Sequence, residues 1–219
     1  MKRYDAVLFD FDGTIVDTGE GIIKSLVYAL ESMGNEIPPY EKLRTFIGPP
    51  IYDSFTKDYG ATDENVHVYI KKYRERYLIK GIYESKLYDG IDELLKILNE
   101  KGVLIGIASS KPEKMIYQVM DHLGITSRFD CIFGASLDET VHTTKAQLIT
   151  SGMQKLGITD KSRVLMVGDR SYDLDGANEV GVDCAGVLYG YGSEEEFRAH
   201  HATYVFATAQ ELQLFLTQE

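Results

Sequence analysis

Four short, predominantly apolar runs punctuate this chain, and each ends in a turn rich in Gly, Ser or acidic residues. They are Val7-Leu8-Phe9 before Asp10-Phe11-Asp12-Gly13-Thr14, residues 103–108 before Ser109-Ser110-Lys111-Pro112, residues 164–167 before Gly168-Asp169, and residues 183–188 before Tyr189-Gly190. A strand without polar alternation has no face to offer water, so such runs read as strands of a parallel sheet covered on both sides. Between them lie stripes of helical period. Ile91, Leu94, Leu95 and Leu98 mark one, closed by Gly102. Ile116, Val119, Met120 and Leu123 mark another, opened by Pro112 as a first helical residue and closed by Gly124. Leu148, Ile149, Met153 and Leu156 mark a third, closed by Gly157. Capping boxes are expected at Ser193 to Glu196 and at Thr208 to Glu211. Strand alternating with helix predicts an α/β fold with a Rossmann-like, doubly wound parallel sheet.

One stretch breaks the alternation. Over residues 16–88 the strand signal nearly vanishes. Ile22, Ile23, Leu26, Val27, Leu30 and Met33 form a helical stripe ending at Gly34. A short helix over 40–46, the loop Ile47-Gly48-Pro49-Pro50 and a helix over 51–59 follow. A long Tyr- and Lys-rich helix capped by Thr62 then runs to near Gly81. We read residues 1–15 and 86–219 as the core domain and 16–85 as an inserted helical cap domain.

Composition narrows the function classes. The chain has 219 residues, enough to bury roughly 70% of the surface of the unfolded chain. Its net charge of −11 argues against nucleic acid as the main partner, because phosphate backbones need a basic face. Cys131 and Cys184 sit in apolar contexts with no CxxC or Cys/His cluster, which reads as buried free thiols in a reducing compartment. Met1-Lys2-Arg3 resembles the basic end of a signal peptide, but Asp10 interrupts the apolar run behind it, and no window approaches the ~18 apolar residues of a membrane span. A cytoplasmic protein without membrane contact is expected, monomeric or a homodimer.

The chemistry concentrates at the strand ends. In Asp10-Phe11-Asp12, residues two apart at the end of an extended strand project to the same side, so two carboxylates converge where a parallel sheet opens its ligand crevice. Like charges that close require either a proton on one or a shared cation, and Mg²⁺ suits carboxylate oxygens while keeping water and phosphate in its shell. Gly13 lets the backbone turn and brings N–H groups near an anion. Asp169 ends another apolar strand and joins the acidic cluster. Asp173, four residues on, is placed to hold metal-bound water or to orient Lys145. Ser109 and Ser110 lie before a helix start, where hydroxyls bind phosphate or cap the helix. Lys145 opens a helix, the wrong end for the dipole, and only an anion nearby would justify it there.

Asp10-Phe11-Asp12-Gly13-Thr14, a strand-end Ser109, Lys145 and Gly168-Asp169-Arg170-Ser171-Tyr172-Asp173, in this order, resemble the haloacid dehalogenase superfamily phosphatases over the whole chain. Phe46-Ile47-Gly48-Pro49-Pro50 and Ser110-Lys111-Pro112 resemble its phosphoglycolate phosphatase-like members. The resemblance implies that Asp10 is a nucleophile forming an aspartyl phosphate and that Asp12 is the acid and base. It implies Mg²⁺ on Asp10, the backbone carbonyl of Asp12 and Asp169. It implies that Ser109, Ser110, Lys145 and the N–H groups around Gly13 hold phosphate. Ile22 and Ile51 stand where mutase members carry His and Arg, which favours hydrolysis. The expected substrate is a small phosphorylated metabolite, with 5'-nucleotidase action as the alternative, and Ile51 and Tyr52 in the cap are the candidate specificity residues. A receiver domain fits poorly, since its acidic pair is adjacent and it carries no insert.

Overall fold

A computed structural model describes residues 4–138, 141 and 143–218; Met1-Lys2-Arg3 lies outside the described residues. Its centre is Ala6–Phe9 (β1), every residue of which is buried. β1 pairs in parallel with Leu104–Pro112 (β4) on one side and Val164–Gly168 (β6) on the other. Cys131–Ala135 (β5) extends the sheet beyond β4, while Asp183–Val187 (β7) and Tyr204–Phe206 (β8) extend it beyond β6. The order is β5-β4-β1-β6-β7-β8, all parallel. The chain leaves β1 toward one half of the sheet and returns through β6 to the other, so the crevice at the end of β1 is the topological switch point where such sheets bind ligands.

Period-two side-chain alternation explains why the strands read as continuous apolar runs. Val7 and Phe9 face one layer, with Ile105, Ile107, Leu165 and Val167. Ala6 and Leu8 face the other, with Val164, Met166 and Cys184. The first layer is closed by Ile91–Glu100 (α5), Glu113–Leu123 (α6) and Ala209–Thr217 (α10), through Leu94, Leu95, Ile116, Met120 and Leu212. The second is closed by Lys145–Leu156 (α7), Ser171–Val180 (α8) and Glu194–Ala199 (α9), through Ile149, Leu174 and Phe197. Both faces are covered, as a doubly wound parallel sheet requires.

Four helices stand between two very short strands. Val16–Asp17 (β2) and Lys86–Leu87 (β3) pair antiparallel and bracket Gly19–Ser32 (α1), Tyr40–Arg44 (α2), Ile51–Asp58 (α3) and Val66–Tyr77 (α4). The centre of this insert is aromatic: Phe46 meets Phe55 edge-on at 5.1 Å, and Tyr73 stacks on Tyr77 at 5.3 Å and 13°.

Several local expectations change. Residues 16–88 do contain strands, the two-residue pair at the neck of the insert, too short to show a period. β5 and β8 join the sheet as edges. Pro112 ends β4 and precedes α6 rather than starting it. Thr62 makes no side-chain cap: α4 begins at Val66, and Asn65 Oδ1 instead accepts from the Thr62 N–H. That helix stops at Tyr77, short of Gly81. Ser193 and Thr208 cap as expected, but neither glutamate closes its box. Glu196 accepts from the Ser171 N–H at 2.7 Å, and Glu211 accepts from the Ala207 N–H.

Gly106 faces Leu8 across the β1–β4 pair, and a Cβ there would lie 2.7 Å from both Leu8 Cδ2 and Cys131 Sγ. Gly106→Val is therefore expected to cost ~1–3 kcal/mol by overpacking, and Leu8→Ala alone ~2–5 kcal/mol. Denaturant unfolding of the double variant should give less than the sum, because each change relieves the other. Strict additivity would contradict this packing.

Candidate active site

The ends of β1, β4 and β6 bring the sequence-selected residues to one place. Asp10 follows β1 directly, and its N–H donates to Val167 O at 2.8 Å, which locks it to the adjacent strand. Oxygens of Asp10, Asp169 and Asp173 lie within 4.8 Å of one another, and all three residues are buried. Lys145, the first residue of α7, is buried against them. Its Nζ donates to Asp10 Oδ1 at 2.8 Å and to the Ala108 carbonyl at 3.0 Å, and it pairs with Asp173 Oδ1 at 2.7 Å. Lys145 sits at a helix start because these carboxylates hold it there.

Asp173 is the third residue of α8 and not its cap. Its Oδ2 accepts from the Arg170 N–H at 3.0 Å while Oδ1 holds Lys145, so one carboxylate both closes the helix start and orients the lysine. Asp169 Oδ2 accepts from the Tyr191 N–H at 2.8 Å and Oδ1 from Thr14 Oγ1 at 3.3 Å. Gly13 makes room: at φ +86° it adopts a conformation that side chains rarely take, and a Cβ would lie 2.1 Å from Asp169 Oδ2. Gly13's own N–H is occupied by the Val16 carbonyl at 2.9 Å, so its contribution is space and turn geometry rather than an anion contact.

The electrostatics follow from burial. Burial, then repulsion from Asp173 and Asp10, pushes the Asp169 carboxyl well above the usual range. Asp173 is raised by burial and by Asp10, against the pull of Lys145. Burial alone would lower the Lys145 ammonium, but Asp10 and Asp173 outweigh it and hold the lysine above its ordinary value. Three buried carboxylates thus face one ammonium. That excess of oxygen ligands and negative charge fits a hard divalent cation bound by Asp10 and Asp169.

Asp12 stands apart from this cluster. Its side chain turns toward β4, where Lys111 Nζ donates to Oδ1 at 3.1 Å and Oδ2 at 3.0 Å, and Thr18 Oγ1 donates to Oδ1 at 2.8 Å. Any metal contact from Asp12 therefore falls to its backbone carbonyl. Ser109 is buried, and its Oγ accepts from the Lys111 N–H at 3.3 Å. Asp12, Ser110, Lys111 and Lys145 line a cavity of about 410 Å³. Its far wall belongs to the insert and includes Ile22, Phe46, Ile51, Tyr52 and Tyr73.

Sequence reasoning quoted Lys111 only beside the strand-end serines, without a role of its own, and missed Tyr77, whose hydroxyl accepts from Lys111 Nζ at 2.6 Å. The pairing of Lys111 with Asp12 joins residues 99 apart in sequence, with the whole insert between them, so no local pattern announces it. Arg170 was likewise quoted only as a spacer; its guanidinium donates to the Ile47 carbonyl at 2.6 Å and to Glu196, joining the Asp169–Asp173 loop to the insert.

The sequence profile of the haloacid dehalogenase-like hydrolases matches residues 7–187. The chain belongs to that family. Within it the chain is a phosphatase. It is 40% identical over 205 residues to a 5'-nucleotidase of Pseudomonas aeruginosa, covering 94% of this chain and 92% of that protein. It is 34% identical over 186 residues to the tyrosine-protein kinase PtkA of Mycobacterium tuberculosis, covering 85% of this chain and 62% of that protein. A crystal structure described as a predicted phosphatase from Clostridium acetobutylicum superposes with a TM-score of 0.92 at 38% identity, over 97% of this chain and 98% of that one. Among the described residues of this haloacid dehalogenase-like phosphatase, no helix is long and apolar enough to cross a membrane.

Lys145→Met removes the ammonium from three buried carboxylates. Such a loss should cost ~3–5 kcal/mol, and Asp173→Asn in the same background should restore part of it. Denaturant unfolding without added cation checks both. A Lys145→Met protein as stable as the parent would contradict the charge balance described here.

Proposed function

We propose that this phosphatase hydrolyses a small-molecule phosphomonoester in two steps through an aspartyl phosphate on Asp10, with Mg²⁺ as cofactor. The observation that carries the reading is the pairing of a buried acidic trio, held by Lys145, with a separate, lysine-held Asp12, where Lys145 and Asp12 line one cavity. Asp10 Oδ attacks phosphorus, the bond from phosphorus to the ester oxygen breaks, and Asp12 protonates that oxygen. Water then attacks the same phosphorus, Asp12 takes its proton, and the bond to Asp10 breaks, which restores Asp10 as a carboxylate and Asp12 as the protonated acid. Ser109, Ser110 and backbone N–H groups beside Gly13 are assigned to the phosphoryl oxygens. Lys145 holds Asp10 in place and offsets its charge, and Asp173 orients Lys145. When bound by Asp10, the Asp12 carbonyl and Asp169, Mg²⁺ supplies charge compensation for the phosphoryl oxygens.

In this reading residues 16–85 form a cap over a core of residues 1–15 and 86–219, and the cap chooses the leaving group. Among the phosphorylated metabolites the sequence leaves open, phosphoglycolate, sugar phosphates and nucleoside monophosphates, the cavity supports the last. About 410 Å³ falls within the ~300–1,000 Å³ typical of sites for drug-sized ligands, far more than glycolate fills. The wall of Phe46, Tyr52, Tyr73 and Ile51 suits a flat, partly apolar body. The 40% identity to a protein named a 5'-nucleotidase supports the same choice. Buried free Cys131 and Cys184 suit the reducing cytoplasm, where we place the enzyme.

A panel of phosphate esters tests the reading. After thorough chelation with EDTA, turnover should vanish for every ester, and Mg²⁺ should restore it, with nucleoside monophosphates ahead of phosphoglycolate in kcat/KM. Ile51→Ala and Tyr52→Ala should alter the ranking among esters while shifting a small aryl phosphate less. Turnover that survives chelation would contradict the metal assignment, and a uniform drop across the panel would remove these two residues as specificity elements.

A further inference from the structure

We propose that Tyr77 is a positioning residue for Asp12, acting through Lys111, and that Asp12 Oδ2 is the oxygen that carries the transferred proton. The proposal deepens the function given above and rests on Asp12 as its acid and base.

Three separate elements meet at Lys111 Nζ. Lys111 itself comes from the end of β4, Asp12 from the turn after β1, and Tyr77 from the last turn of α4 in the insert. The ammonium donates to both Asp12 oxygens and to the Tyr77 hydroxyl, and it lies 4.6 Å from the Tyr77 ring centroid. Lysine carries about 2 kcal/mol of side-chain rotamer entropy, so a single flexible stem does not by itself fix where its ammonium sits. The short contact from a fully buried phenol, whose ring is clamped by stacking on Tyr73, removes that freedom. Lys111 held in this way aims the Asp12 carboxylate, because it grips both oxygens.

The donors on Asp12 are unequal. Oδ1 accepts from Lys111 and Thr18, which occupies both of its lone pairs, whereas among the described residues Oδ2 accepts from Lys111 alone. Oδ2 retains the capacity to hold a proton. The insert therefore does more than wall the cavity. Tyr73 lines the cavity together with Phe46, 5.6 Å away between ring centroids, and stacks on Tyr77, so the packing that receives the leaving group also holds the lysine that aims the proton donor.

A purely structural role predicts that removing the Tyr77 hydroxyl lowers the amount of active protein or changes nothing. The positioning role predicts a kinetic signature. With dinitrophenyl phosphate the leaving group departs without a proton, so the first step is spared, but hydrolysis of the phosphoenzyme still needs Asp12 as base. In rapid-mixing experiments with Mg²⁺, Tyr77→Phe should release close to one equivalent of dinitrophenolate per enzyme. Its steady rate should then be roughly tenfold below the parent, a part of the ~10²–10⁴-fold that acid–base catalysis supplies. Tyr77→Phe added to Lys111→Met should have no further effect, since both act on one contact. Parent-like kinetics in Tyr77→Phe, or a steady rate that falls only in proportion to the burst, would overturn the proposal, and neither result depends on Lys111→Met folding. Asp12→Asn run alongside separates the two claims. A burst in Asp12→Asn with none in Tyr77→Phe rejects the positioning role alone, whereas undiminished steady turnover in Asp12→Asn rejects the acid–base assignment beneath it.

Discussion

The structure is organised around one buried charge imbalance: three carboxylates, Asp10, Asp169 and Asp173, against the single ammonium of Lys145. Burying charge is unfavourable unless the polar atoms find partners, and here each of the three carboxylates has at least one. Lys145 distributes its protons among Asp10, Asp173 and the Ala108 carbonyl, and Asp169 takes a backbone N–H from Tyr191 and a hydroxyl from Thr14. These partners come from β4, α7, α8, the turn after β1 and the loop after β7. The central parallel sheet is what makes them converge, because it places all of those strand ends at one edge.

Fitting an acid between backbones demands space. A Cβ on Gly13 would meet Asp169, and a Cβ on Gly168 would lie 2.2 Å from the Asp173 carboxylate. The acidic motifs and their glycines are thus a single packing unit: the first are held where they are because the second have no side chains. The same economy links the core to the insert. Arg170, between the two acids of α8's start, reaches the Ile47 carbonyl, while Gly48 leaves room for its stem. Lys111, which lines the cavity, and Tyr77 make the second such connection.

What could be seen in the sequence divides along physical lines. Apolar runs closed by Gly, Ser or acid betrayed β1, β4, β6 and β7 because strands covered on both faces tolerate no polar interruption. Asp10, Asp169, Asp173 and Lys145 were legible because they stand at fixed offsets from those runs. The neck strands β2 and β3 have two residues each, too few for any period. β8 is a three-residue edge with Val205 exposed, so burial never imposed a pattern on it. β5, Cys131-Ile132-Phe133-Gly134-Ala135, was readable as an apolar run between Asp130 and Ser136, but its interior glycine weakens the strand signal. Tyr77 and Lys111 were hidden for a different reason. Their roles arise from contacts 34 and 99 residues apart in sequence, which only the folded chain brings together.

The central claim is that Asp10, seated in this charge cluster, forms the covalent bond to phosphorus. The most direct measurement is acid quenching of the Asp12→Asn variant during turnover of dinitrophenyl phosphate with Mg²⁺, followed by borohydride reduction and peptide mass analysis. An aspartyl phosphate is reduced to homoserine, so homoserine is expected at position 10 and absent when Asp10→Asn is added. Homoserine at another aspartate, or none in a sample that has released its burst of dinitrophenolate, would contradict the account.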